Sequence, residues 1–236
     1  MESRPDRTIC LEDLRRRIAR LEGTRRRGGE AAVSSGCAAL DRLLPEGGFR
    51  QGTLVEWLSA GEGTGAGTLA LMAARNVCRD GGVLVALDHR RDFCPPAAVR
   101  LGIEAEQLVV VQADSAADND WAMDQALRSP AVAAVLAWPE KLDGRTFRRW
   151  QLAVEEGRCL GLLFRPESAR HEPSWADVRL LVEPLRAVAG GDSSRRLRII
   201  VLRCRGGTDG RSVDVELDDE THAVHPAEER RLQIAN

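Results

Sequence analysis

The chain has 236 residues, 43% hydrophobic and 30% charged, a balance that suits one α/β domain with its own core plus short extensions. A formal net charge of -2 excludes a global electrostatic pull toward nucleic acid, and no apolar run approaches the length of a membrane span. The start, Met-Glu-Ser-Arg-Pro-Asp-Arg, lacks the apolar core of a secretory signal, so the expected location is cytoplasmic, with no membrane partner. Cys10, Cys37, Cys78, Cys94, Cys159 and Cys204 are scattered without a C-x-x-C pair, which argues against zinc and a disulfide framework and fits reduced thiols. His222-x-x-His225, after Asp218-Asp219-Glu220, reads as solvated surface, so no metal is expected. Every basic residue but Lys141 is arginine, which suits bidentate contacts but also follows from G+C-rich coding.

In chain order, residues 1–29 read as an amphipathic helix and basic linker. Leu11, Leu14, Ile18 and Leu21 recur at helical spacing, with Arg15, Arg16, Arg17 and Arg20 on the other faces. The apolar stripe calls for a surface to pack on, in its own chain or a neighbour's; the alternative is a basic arm on DNA. Residues 30–217 form the expected core. Ser34–Leu44 suggests a capped short helix and Pro45–Phe49 a turn. Strands are expected at Gly52–Leu58, Val83–Asp88, Leu108–Val111, Ala131–Trp138 and Cys159–Phe164. Between them fall helices at Leu69–Arg79, Pro95–Leu101, Asn119–Arg128 and Gly144–Glu156. This alternation implies a mainly parallel sheet covered by helices on both faces. Val178–Val182, Leu197–Cys204 and Ser212–Leu217 lack intervening helices and read as antiparallel additions to the sheet. Residues 218–236 read as a polar tail.

Gly61-Glu62-Gly63-Thr64-Gly65-Ala66-Gly67-Thr68 lies between a strand and a helix, where backbone N–H groups and a helix N-terminus face an anion. Against G-x-x-x-x-G-K-[ST], Gly61 and Thr68 match, Ala66 replaces the second glycine, and Gly67 stands at the lysine position. That lysine offsets charge in phosphoryl transfer, and losing one such contact costs on the order of 10²–10³ in rate. The loop reads either as a relic that turns a strand into a helix or as a residual nucleotide site using backbone amides and Thr68. ATP binding stays open, hydrolysis is not expected, and no catalytic residue is nominated.

The stretch Ser34–Thr68 resembles the entry to the RecA family's ATPase core. Leu87–Glu104 runs in step with the segment after that family's second core strand, with Asp88, Pro95, Ala98, Leu101 and Gly102 on matching positions, and Leu108–Asp114 continues the match. The resemblance implies a RecA-like fold and three catalytic positions, here occupied by Gly67, Arg90 and Trp138 in place of a lysine, a glutamate and a magnesium-ordering aspartate. Within that group the chain is similar to the ImuA family. The features that carry this are Leu11–Ile18, Leu40–Gly52, Asp92-Phe93-Cys94-Pro95-Pro96 and Leu202-Arg203-Cys204-Arg205-Gly206-Gly207.

What the resemblance implies is a pseudo-ATPase of the DNA-damage (SOS) response, acting in translesion synthesis and mutagenesis. The implied partners are an ImuB-type Y-family polymerase homologue and an error-prone replicative-type polymerase, with a RecA-type filament or DNA as further candidates. Homo-oligomers through the N-terminal element are a further expectation. Two other readings stay open, an ATP-binding RecA paralogue with residual ATPase activity and a SulA-like division inhibitor. Candidate DNA or partner contacts are Arg15, Arg16, Arg17, Arg196, Arg198, Arg203 and Arg205. Alternation is expected to put Arg196, Arg198 and Arg203 on differing faces.

Overall fold

The computed structural model describes residues 32–61, 63–79, 81–139, 141–185 and 194–227. The expected N-terminal helix and linker, with Arg15, Arg16 and Arg17, lie outside them, as do Cys10 and the end of the tail.

One sheet organises the described chain. Its strands are β1 (Thr53–Ser59), β2 (Val83–Leu87), β3 (Leu108–Val111), β4 (Val132–Ala137), β5 (Leu160–Pro166), β6 (Val178–Pro184), β7 (Ser194–Cys204), β8 (Ser212–Asp218) and β9 (Val224–Pro226), in the order β3-β2-β4-β5-β1-β6-β7-β8-β9. Strands β1 to β6 pair in parallel, and β7, β8 and β9 add on antiparallel. The α/β expectation, with antiparallel strands at the C-terminal side, is met. The core was expected to stop at Leu217; β9 carries the sheet on to Pro226, because Asp218 closes a turn by accepting from the Glu220 and Thr221 N–H groups.

The helices are α1 (Ala38–Asp41), α2 (Ala66–Cys78), α3 (Pro95–Arg100), α4 (Ala116–Arg128) and α5 (Gly144–Gly157). The period of two along β1 splits its side chains between two cores. Val55 and Trp57 join Leu69, Ala70 and Ala73 of α2 on one face, while Leu54 meets Phe147, Trp150 and Val154 of α5 on the other. Thr53 to Leu58 are all buried, as a central parallel strand requires. Ser115 caps α4 through the Asp118 N–H, and Asp143 caps α5 through the N–H groups of Arg145 and Thr146.

From β5 to β6 the chain must cross β1, and it does so without a helix. A short 3-10 turn, Glu167–His171, and an extended segment lie over the α4/α5 face of β1. Glu56 of β1, fully buried, replaces the apolar floor a helix would need. Its carboxylate accepts from Arg165 of β5 at 3.0 Å, from Arg179 of β6 at 2.5 Å and from the Ser174 hydroxyl at 2.9 Å. Arg165 also reaches Glu172 at 2.5 Å, and Arg179 donates to the carbonyls of Ala169, Arg170 and Glu172. The network satisfies backbone groups that no helix serves.

Two outcomes follow for stability and thiol chemistry. Glu56→Gln leaves two buried guanidinium groups short of countercharge, so urea unfolding should show a loss of about 3–5 kcal/mol. Replacing Glu56, Arg165 and Arg179 together by apolar residues should cost less. Burial pushes the Cys78 thiol up to about 11 and the Cys159 thiol up to about 12, while Cys94 is exposed. At pH 8 a thiol reagent should label Cys94 in the folded protein, and Cys37, Cys78, Cys159 and Cys204 only after denaturation.

Candidate functional site at the carboxyl edge of the sheet

In an open parallel sheet, ligands sit beyond the carboxyl ends of the strands. Gly67, Arg90 and Trp138 all fall there, following β1, β2 and β4. The loop leaves β1 at Ser59, whose hydroxyl donates to the Gly61 carbonyl at 3.0 Å. Gly65, with φ of 81°, turns the chain into α2, three residues before the expected helix start. A Cβ on Gly65 would stand 2.6 Å from Leu197 Cδ1, so the loop rests directly on β7. No side chain caps α2, which leaves its first N–H groups to the loop. Gly67 is exposed with nothing within 4 Å of an added Cβ, and Thr68 is half-buried beside it.

Among the described residues, a positive charge is hydrogen-bonded to the loop by a residue the sequence placed only in the arginine patch around β7. Arg195, at the start of β7, donates from Nη1 to the Gly63 carbonyl at 3.0 Å and pairs with Asp219 at 2.6 Å. The two halves of this contact are 132 residues apart, so only the strand order reveals it.

At the second of these positions, Arg90, the turn is built on Asp88, which is buried and accepts from the N–H groups of Asp92 at 3.0 Å and Phe93 at 3.2 Å. Arg90 is exposed and pairs with Asp92 at 3.0 Å. At the third, Trp138 stacks on Phe164 of β5, with ring centroids 5.1 Å apart and planes 13° apart. Phe93 leans on it at 5.8 Å. These three half-buried rings pack against the α2-side core. The sequence reading marked Trp138, and Phe93 only within a family motif, but not Phe164, although alternation along β5 was enough to put Phe164 on the α2 side.

The candidate arginines separate. Arg196 pairs with Glu216 at 3.2 Å, Arg198 with Asp214 at 2.7 Å, and Arg205 with Asp177 at 3.2 Å and Glu155 at 3.5 Å. The Arg198 hydrogen bond holds the Asp214 carboxyl below the usual carboxylate range. The expectation of differing faces is corrected. Residues 196 and 198 differ by two and share a face, and a register shift between β6 and β7 at Arg179/Leu180 returns Arg203 to it. Arg203 donates to the Ser174 carbonyl at 2.9 Å. His225 faces Glu216 across the β8–β9 pair, and among the described residues no His, Cys, Asp and Glu group could hold a metal ion. Among them, too, no helix is long and apolar enough to cross a membrane.

A family model described as the RecA N-terminal domain matches residues 15–137, just over half of the chain and ending one residue before Trp138. Protein ImuA of Caulobacter vibrioides is 28% identical over 212 residues, covering 82% of this chain and 86% of that protein. Protein RecA of Limosilactobacillus reuteri is 35% identical over 106 residues, 45% of this chain and 29% of RecA. For protein RecA of Acidothermus cellulolyticus the figures are 33% over 139 residues, 56% and 40%.

The loop glycines should respond oppositely to alanine. Gly65→Ala combines a left-handed φ with a clash against Leu197 and should lower stability by about 1–3 kcal/mol in denaturant titration. Gly67→Ala, helical and open, should raise it by up to about 1 kcal/mol.

Proposed function

Since the chain belongs to the RecA N-terminal domain family, we propose that it is a non-catalytic RecA-related accessory protein of DNA-damage-induced translesion synthesis. It works through protein contacts, with an ImuB-type polymerase homologue and an error-prone replicative-type polymerase as the partners. Likeness to ImuA along most of the chain supports the biological setting.

One observation carries the non-catalytic half. At the carboxyl edge, a stack of Phe93, Trp138 and Phe164 stands where the family resemblance puts a magnesium-ordering aspartate. Rings cannot order a divalent cation, and Arg90 cannot act as a base toward water. Gly67 carries no charge to the terminal phosphates. The loop's backbone and Thr68 suit a phosphate anion; the residues around them do not suit magnesium-assisted hydrolysis.

Purified protein with ATP, magnesium and single-stranded DNA should hydrolyse nothing above background, and Gly67→Lys should not start turnover, because both acids are still missing. Steady turnover that disappears in Thr68→Ala overturns the proposal. Arg195 favours a second reading, nucleotide binding without hydrolysis. Calorimetry with ATP and magnesium tests it: sub-millimolar binding weakened by Arg195→Ala supports this reading, and no heat at millimolar ATP rejects it.

A further inference from the structure

Away from the loop, the α4/α5 face carries an exposed tryptophan with unusual neighbours. Trp175 is 47% exposed, and the Arg148 guanidinium of α5 lies 4.9 Å from its ring centroid. Leu152, one turn further along α5, is 44% exposed. Glu155 follows after three more residues and meets Arg205, which also holds Asp177. Positions 148, 152 and 155 share one helix face, so α5 forms one bank and residues 174–177 the other. Leu152 on one bank and Trp175 on the other are the exposed apolar side chains of this strip.

The charge beside this strip is unbalanced. Arg148 has Gln151 and the Trp175 ring as its partners, and Arg203 has the Ser174 carbonyl. Neither meets a carboxylate among the described residues, unlike Arg196, Arg198 and Arg205. Arg148 lies over the exposed indole, and Arg203 is held at the carbonyl of the residue before it. Tryptophan and arginine in this arrangement are the residue types that dominate binding energy in protein interfaces.

We propose that this strip docks an acidic peptide segment of a partner protein, an aliphatic or aromatic anchor lying on Trp175 and Leu152 and flanking carboxylates meeting Arg148 and Arg203. Two cations that meet no carboxylate among the described residues match a short acidic segment. A nucleic acid strand asks for a longer run of cations along its phosphates. Aliphatic Leu152 is a surface for a side chain rather than for a base. The inference supplies the contact surface for the accessory role and rests on that role for the partner's nature.

The test uses the full chain and a fluorescein-labelled twelve-residue peptide in which Asp and Glu flank a central Leu-Phe pair, read by anisotropy beside labelled oligo-dT of equal length. The expected result is peptide binding in the micromolar range that weakens with salt and with Ala in place of Leu-Phe. Trp175→Ala should weaken it at least tenfold, and Arg148→Glu with Arg203→Glu should abolish it, with unchanged circular dichroism melts. No peptide binding, equal binding by these variants, or tighter binding of oligo-dT lost in the same variants overturns the inference. Binding of the purified polymerase homologue is measured in parallel. If the peptide binds and the homologue does not, the surface stands and the proposed partner falls. If the homologue binds all variants alike, the surface falls and the accessory role stands.

Discussion

A single buried carboxylate holds the centre of this molecule together. Glu56 sits on β1, the fifth of the nine strands, fully enclosed, with the guanidinium groups of Arg165 and Arg179 from the strands on either side. Buried ion pairs gain little against well-packed apolar residues, because desolvation offsets most of the Coulomb attraction. Their value here is geometric. The path from β5 to β6 has no amphipathic helix to bury, so the arginines gather its carbonyls and the glutamate anchors the arginines. The network also fixes which residues of β1, β5 and β6 lie opposite one another, and so where β1 delivers the glycine loop.

The glycine loop and the edge beside it differ in how tightly packing holds them. A Cβ added at Gly67 would meet nothing within 4 Å, so local packing does not exclude a side chain there. Trp138 is different: its ring is built into a stack between Phe93 and Phe164, and Asp88 holds the turn that presents Phe93. A charged side chain at position 138 would have to stand among rings, losing hydration without gaining a partner. Position 138 is therefore built into the packing of the edge, whereas Gly67 stands in open space.

Much of the architecture was legible in the amino acids. The apolar runs of β1, β2, β4 and β5, each followed or preceded by a helical period, specify a parallel layer, and Gly61 to Thr68 marks its loop. Strand order was not legible, since nothing in a short apolar run says which neighbour it will pair with. For that reason Arg195 was missed beside Gly63, Trp175 beside Arg148, and Phe164 beside Trp138. The crossover was missed for another cause: Glu167 to Asp177 has no periodicity, and its order comes from side chains on three other segments. β9 escaped notice because three residues are too few to show alternation.

The register shift between β6 and β7 has a further effect. Opposite β6, Leu202 is one residue too many, and that odd count decides where Arg203 lands. Were Leu202 paired in regular alternation, without the shift, Arg203 would fall on the α2 side with Val201, and the indole of Trp175 would keep one cation instead of two. The electrostatics of that surface thus depend on parity, on a single supernumerary leucine that carries no charge itself.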